Sequence, residues 1–172
     1  MKEGISAAGA IAQYLRETQK GDPDHIKEIS SYHLGDYMFL DESTTLSLEL
    51  FETMRRRSSR GSLFRVIDKT ITPMGARLLK RWIGYPLVDI TRIKQRLSAV
   101  SNLSDDRIFR EDIRENLEGI YDLERLNGKV SLGRANARDL LALKASILKL
   151  PSIKERLKGA ISDLLSDIAE GL

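Results

Sequence analysis

The sequence predicts an all-α protein. Three observations carry that expectation: five stretches repeat apolar residues at helical spacing, helix start signals stand at their heads, and almost nothing alternates with the period of two that a half-buried strand requires. From Ile5 to about Thr18, Ala7, Ala8, Ile11, Tyr14 and Leu15 form a helix stripe, followed by the turn sequence Gly21-Asp22-Pro23-Asp24. Residues 25 to 40 have weak periodicity and a short run Tyr37-Met38-Phe39-Leu40, so they read as an extended linker with room for one strand.

Asp41 suits an N-cap, with Glu42 in the first turn and Leu46, Leu50, Phe51 and Met54 on one face, which predicts a helix to about Arg57. Ser58-Ser59-Arg60-Gly61 breaks it. Ser62 caps a short helix carrying Leu63, Phe64, Val66 and Ile67, and Thr72-Pro73 starts another with proline at its first position. That helix stacks Met74, Leu78 and Trp82 at i+4 spacing and ends at Gly84, with Pro86 beyond. Asp89 caps the next, whose inward stripe is Ile90, Ile93, Leu97 and Val100. After Asp105-Asp106 a longer helix points Phe109, Ile113, Leu117 and Ile120 inward and runs on through Tyr121-Asp122-Leu123-Glu124-Arg125 to an irregular end at Asn127-Gly128 and Gly133. Asn136 or Ala137 starts a helix with Leu140, Leu143 and Ile147 inward, and Pro151 starts the last, with Ile153, Leu157, Ile161, Leu164 and Ile168.

At 172 residues, with 41% apolar and 31% charged residues, the chain has the composition of one soluble domain plus a short appendage. No cysteine is present, which excludes disulfides and thiolate metal sites and makes the cytoplasm the expected compartment. No apolar run approaches the roughly 20 residues of a membrane span, and Met1-Lys2-Glu3-Gly4-Ile5 lacks the apolar stretch of a signal peptide. The net charge of +3 conceals an asymmetry: residues 55 to 96 hold twelve Lys and Arg against Asp68 and Asp89, so this block is +10 and the remainder −7.

Tests for chemistry fail. A phosphate-binding loop needs glycines, a lysine on the phosphates and a hydroxyl on the metal. Gly4 to Gly9 has the glycine spacing but continues Ala10-Ile11, and Gly128 to Gly133 continues Arg134-Ala135. His25 and His33, the only histidines, lie eight apart on a glycine-interrupted segment near Asp22, Asp24 and Asp36, without the spacing that shares a helix face. They read as solvated linker residues, and a nucleophile has no base to work with. Glu111-Asp112 and Glu115-Glu118 read as a wet, ion-paired face. The chain is therefore expected to hold no catalytic residue, cofactor or metal and to be no enzyme by itself. For Arg55, Arg56, Arg57 and Arg60, beside the predicted break, contact with phosphate, contact with an acidic neighbouring domain and plain solvation all remain open.

Several motifs resemble a known family. Asp68-Lys69-Thr70-Ile71-Thr72-Pro73-Met74-Gly75-Ala76-Arg77-Leu78-Leu79-Lys80-Arg81-Trp82, followed by Pro86-Leu87, resembles the core signature of the MutS mismatch-repair family. Leu40-Asp41 with Thr44 and Leu48-Glu49-Leu50 resembles the first core helix, Asp122-Leu123-Glu124-Arg125 the mid-core acidic-basic motif, and Gly133-Arg134-Ala135-Asn136-Ala137-Arg138-Asp139-Leu140 the start of the next helix. Ala7-Ala8-Gly9-Ala10 through Tyr14-Leu15 and Thr18-Gln19 resembles the helix that closes the connector domain. Ala137 departs from the pattern, since many relatives have proline there. The connector remnant favours MutS proper over shorter paralogues.

The resemblance implies a helical bundle of the core/lever type over 41–172, truncated before the DNA-gripping clamp, with residues 1–40 as a connector remnant and linker. It also implies a parent that dimerises around DNA, senses mispaired or looped bases, and uses ATP with Mg to recruit MutL and become a sliding clamp. ATP and Mg belong to that parent, whose clamp, ATPase and connector domains would be this stretch's partners. In the family the mismatch-reading Phe-x-Glu belongs to a preceding domain; Phe109-Arg110-Glu111 shares its spelling but is expected mid-helix with Phe109 in the core. Asp68, Thr70, Thr72, Gly75, Arg77 and Trp82 are expected to hold a junction of two helical pieces, with Thr72 capping, Gly75 allowing close helix approach and Trp82 anchoring the core. Asp122, Glu124, Arg125, Arg134, Arg138 and Asp139 complete the expected coupling set. Because the family's core is completed by helices that return after the clamp, some apolar surface should lie uncovered. The alternative is a free-standing basic helical module that binds nucleic acid.

Overall fold

A computed structural model describes residues 2–19 and 34–172; Gly21 to Asp24, His25 and His33 lie outside these described residues. The chain divides into two units, Met1–His33 and Leu34–Leu172. In the first, α1 spans Lys2–Gln19. In the second, nine helices follow a single 3-10 turn at Leu34–Asp36: α2 Glu42–Ser47, α3 Leu63–Ile67, α4 Pro73–Gly84, α5 Ile90–Asp105, α6 Arg107–Leu117, α7 Leu123–Ser131, α8 Ala137–Ile147, α9 Leu150–Leu157 and α10 Asp163–Gly171. The all-α expectation holds, since among the described residues there is no strand, only an antiparallel bridge of Tyr37 with Leu87. No described helix is long and apolar enough to cross a membrane.

Side-chain caps set most helix starts. Asp41, Ser62, Thr72, Asp89, Asp106, Asp122 and Asn136 each accept a backbone N–H from the first turn they precede. Asn136 and Asp139 do so reciprocally, a full capping box that orients α8 with alanine, and not proline, at position 137. The core gathers Ala99 of α5, Ile120, Ile153 and Leu157 of α9, and Leu165 and Ala169 of α10, flanked by Met74, Leu103, Phe109, Ile113, Leu117 and Leu123. α9 packs on α6 and α10, α5 on α6 and α10, α7 on α8, and α3 on α4. Asn102 of α5 ties its layer to α10, its carboxamide oxygen accepting Ile161 N–H at 2.9 Å and Ser162 N–H at 3.2 Å.

Three expected helices are broken by local geometry that hydrophobic spacing does not register. The helix expected to reach Arg57 ends at Ser47. Glu49 takes φ of 49°, Leu50 N–H turns back to Thr45 at 3.1 Å, and the Leu50 side chain is buried by that reversal while Met54 stays exposed. The helix expected to run from Asp106 past Arg125 stops at Leu117, where Gly119 at φ 74° redirects the chain and Asp122 starts α7 afresh. That helix then passes straight through Asn127-Gly128. The last expected helix divides at Lys158 to Ser162, shifting the inward register by one residue, so Leu165 and Ala169 are buried while Ile161 and Ile168 are exposed.

Two stripes are helical as expected yet face outward. Ile90, Leu97 and Val100 of α5 are exposed, and the buried side of that helix carries Ala99. On α8, Leu140 and Ile147 are exposed while Ser146 is fully buried. Ala99 on α5 and Ser146 on α8 are the buried positions of these two helices, and both are small enough to let a packed neighbour approach.

Candidate functional site

The segment Asp68 to Gly75 is wired to itself before it meets anything else. The Asp68 carboxylate accepts both Thr70 N–H at 3.1 Å and Thr70 Oγ1–H at 2.7 Å, and the Thr70 hydroxyl holds it below the ordinary carboxylate range. Thr72 Oγ1 then accepts Gly75 N–H at 3.1 Å and caps α4. A Cβ on Gly75 would stand 3.2 Å from Thr72 Oγ1 and 3.4 Å from Thr70 Cβ. Gly75 thus allows close approach of its own capping loop and not, as expected from the sequence, of a second helix. Arg114 of α6 anchors the loop from outside, donating to Lys69 O at 3.2 Å.

Arg77, on the second turn of α4, reaches across to the start of α7. Its Nη1 and Nη2 donate to the two oxygens of Asp122 at 2.6 and 2.8 Å, and Nη2 also meets Glu124 Oε2. Asp122 meanwhile accepts Arg125 N–H at 3.1 Å as the N-cap of α7. One carboxylate therefore ends one helix-to-helix bridge and begins a helix. The Arg77 guanidinium, with help from Arg125, pulls the Asp122 pKa down to about 2. The bidentate fork is what arginine offers and lysine does not.

Trp82 does not anchor the core. It is 39% exposed and Leu78 of its stripe is exposed as well, whereas Met74 packs against the core and Leu79 and Ile83 are half-buried. The Arg96 guanidinium of α5 lies 3.7 Å from the centroid of the indole, so Trp82 joins α4 to α5 by stacking at the surface. Burial against the ring and the neighbouring Arg92 lower the Arg96 pKa. Beside it, Tyr37 meets Tyr85 edge-on at 6.3 Å, and Met38 N–H donates to Pro86 O at 2.8 Å, which seats buried Leu87.

The 134–139 motif closes a second bridge. Asp139 accepts Lys129 Nζ at 2.7 Å as well as Asn136 N–H at 3.1 Å, and Lys129 holds it below the ordinary carboxylate range. The backbone of Arg134 turns back onto Lys129 O at 2.8 Å, whereas the side chains of Arg134 and Arg138 are exposed. Arg125 bears on both bridges, since its charge lowers Asp122 and Asp139 together. Sequence reading missed Lys129 in this role, and also Ser146, whose buried hydroxyl accepts Tyr121 N–H at 3.0 Å and donates to Ala142 O at 2.9 Å. A serine in an apolar helix interior was its one available signal.

Of the four arginines beside the break, Arg57 is ion-paired with Glu52 at 2.7 Å, while Arg55, Arg56 and Arg60 are exposed. Both glycine decoys sit in or against helices, Gly4 to Gly9 within α1 and Gly128 within α7 with Gly133 just beyond it. Phe109 packs against the core, as expected. Among the described residues no group of three or more His, Asp or Glu side chains is arranged to hold a metal ion.

Comparison with known proteins agrees with this architecture. The family model for MutS domain III matches residues 43–170. The chain is 51% identical over 166 residues to the DNA mismatch repair protein MutS of Halothermothrix orenii, covering 96% of this chain and 18% of that protein. It is 46% identical over 168 residues to that of Ruminiclostridium cellulolyticum, covering 98% and 19%, and 44% identical over 169 residues to that of Alkaliphilus oremlandii, again 98% and 19%. The chain thus spans about a fifth of the length of these curated relatives. With well over half of its residues inside the domain model, the chain belongs to the MutS family.

Proposed function

We propose that this chain is the coupling element of a MutS-type mismatch-repair protein, a helical unit that transmits movement between the part that hydrolyses ATP and the part that grips DNA. The observation that supports this most is the Arg77–Asp122 fork. Because Asp122 both receives the fork and caps α7, α7 cannot rotate against α4 without giving up either the fork or its own cap. A unit with such a joint moves as a rigid body, and rigid elements are what carry a coupling free energy between distant sites. Asp68, Thr70, Thr72 and Gly75 set the start of α4, Trp82 secures it to α5, and Glu124, Arg125 and Asp139 extend the joint towards α8.

In this reading residues 41–172 are the core and lever region, and residues 1–40 are the end of the connector domain with its linker. ATP and Mg would be held elsewhere in the parent, so this stretch contributes no catalytic group. Its partners would be the parent's clamp, ATPase and connector domains, and through the whole cytoplasmic protein a second copy, mismatched duplex DNA and MutL. The greater length of the relatives supports this over a free-standing basic module.

The test is made in the full-length protein that carries this chain. Arg77→Met should leave mismatch binding and ATP hydrolysis nearly intact while slowing ATP-triggered release from a mismatched duplex by about 5-fold or more, the low end of a typical coupling energy. Arg77→Lys, which keeps the charge without the fork, should recover only part of the loss. Unchanged release in Arg77→Met would sink the proposal.

A further inference from the structure

We infer that the turn from Met54 to Arg60 is a contact for the phosphate backbone of duplex DNA. The turn is held from within. Thr53 N–H donates to Ser58 O and Arg57 N–H to Thr53 O, each at 2.9 Å, Met54 N–H donates to Glu49 Oε1 at 2.7 Å, and Arg60 N–H donates to Ser58 Oγ at 3.2 Å. Arg57 sits at φ 49°, a conformation that disfavours any side chain, and Gly61 at φ 99° lies where a Cβ would meet Thr53 Cγ2 at 3.3 Å. Backbone strain of this kind persists only where the surroundings over-determine it.

The rigid turn carries positive charge in excess of its neighbouring carboxylates, with Arg55, Arg56, Arg57 and Arg60 against Glu49 and Glu52. Its two neighbouring carboxylates are engaged, Glu49 with Met54 N–H and Glu52 with the Arg57 guanidinium. Arg55, Arg56 and Arg60 project from it exposed, with no carboxylate within ion-pair distance among the described residues. Lys69 and Arg65 continue the same sign, and Asp68 is occupied by Thr70.

The chemistry selects the partner. Met54 is the turn's only apolar side chain, because Phe51 turns inward against Phe64 with ring centroids 6.3 Å apart, so the turn offers arginines without the aromatic anchor that usually accompanies them in a protein interface. Three unpaired guanidiniums on a stiff backbone suit the regular anionic spacing of a duplex. No helix or strand is offered to a groove, so the contact positions the duplex and does not read its bases. It involves none of the junction residues, and its test reads salt dependence instead of the response to nucleotide.

The experiment measures binding of this chain to a fluorescent duplex of about 20 base pairs between 50 and 200 mM salt. Three phosphate contacts should give a log–log slope near −2.7, about a 40-fold loss of affinity across that range. Replacing Arg55, Arg56 and Arg60 by Gln together should bring the slope near zero without moving the urea midpoint, while Arg92→Gln with Lys94→Gln on α5 should leave it as it was. Mismatched and matched duplexes should bind equally. Absence of binding at 50 mM salt, a triple variant that keeps the slope, or tighter binding to poly-glutamate than to duplex would each overturn the inference, the last by assigning the turn to an acidic protein.

Discussion

Arg77 and Asp122 lie 45 residues apart in sequence and meet through two parallel hydrogen bonds of 2.6 and 2.8 Å. The contact fixes a protonation state as well as a geometry. Asp122 is held at a pKa of about 2, below the ordinary 3.8, so it contributes stability at neutral pH that is lost as the pH falls through the interval from about 4 to about 2. Carboxyl-carbon NMR titration should show Asp122 as an outlier, and Arg77→Met should return it most of the way to the ordinary value. The variant should also lose less stability than the parent across that acid interval. An Asp122 that titrates normally in the parent would contradict the bridge.

The trace of this bridge in the sequence is instructive. Both halves were visible as motifs, Asp68 to Trp82 and Asp122 to Arg125, and caps at Asp41, Ser62, Thr72, Asp89 and Asn136 can be read because capping is a local affair of three or four residues, whereas the cap at Asp122 lay hidden inside a helix expected to run on. That Arg77 joins the two halves was not visible, because side-chain partners far apart in sequence leave no periodic signal. The same limit explains Trp82. Spacing puts it on a stripe with Met74 and Leu78, but which stripe of α4 turns inward depends on where α5 and its Arg96 lie. The breaks at Glu49 and Gly119 were hidden for a different reason, since apolar spacing can continue across a positive-φ residue that ends the helix.

Trp82→Ala should therefore be milder than truncation of a buried tryptophan, which costs roughly 3 to 5 kcal/mol. A 39% exposed ring stacked on one guanidinium predicts a cost of about 1 to 2 kcal/mol, of which the cation–π contact supplies around 0.5 to 1. A double-mutant cycle of Trp82→Leu with Arg96→Gln, read by urea denaturation, measures that share. A coupling indistinguishable from zero would remove the stacking from the account.

Ser146→Ala should cost more than its size implies. The hydroxyl is fully buried and is the acceptor for Tyr121 N–H in the connection that redirects the chain between α6 and α7. Removing it leaves a backbone donor unsatisfied, at about 1 to 3 kcal/mol. Faster hydrogen exchange confined to Tyr121 and its neighbours should accompany the loss. Exchange that rises evenly over α8 would instead indicate loss of helix packing.

Arg57→Gly tests whether the arginine turn is strained. The left-handed conformation costs a non-glycine residue about 1 to 2 kcal/mol, whereas the exposed ion pair to Glu52 returns less than about 1. Glycine relieves the first and loses the second, and it also makes the unfolded chain more flexible, which costs up to about 1 kcal/mol. These contributions nearly cancel, so Arg57→Gly should leave the urea midpoint close to that of the parent. Arg57→Val keeps the unfavourable φ, adds a branch at Cβ and loses the same ion pair, so it should be the less stable of the two by at least about 1 kcal/mol. Equal midpoints for glycine and valine would mean that residue 57 is free to leave the left-handed region, and the turn would then lack the rigidity that its contact with phosphate requires.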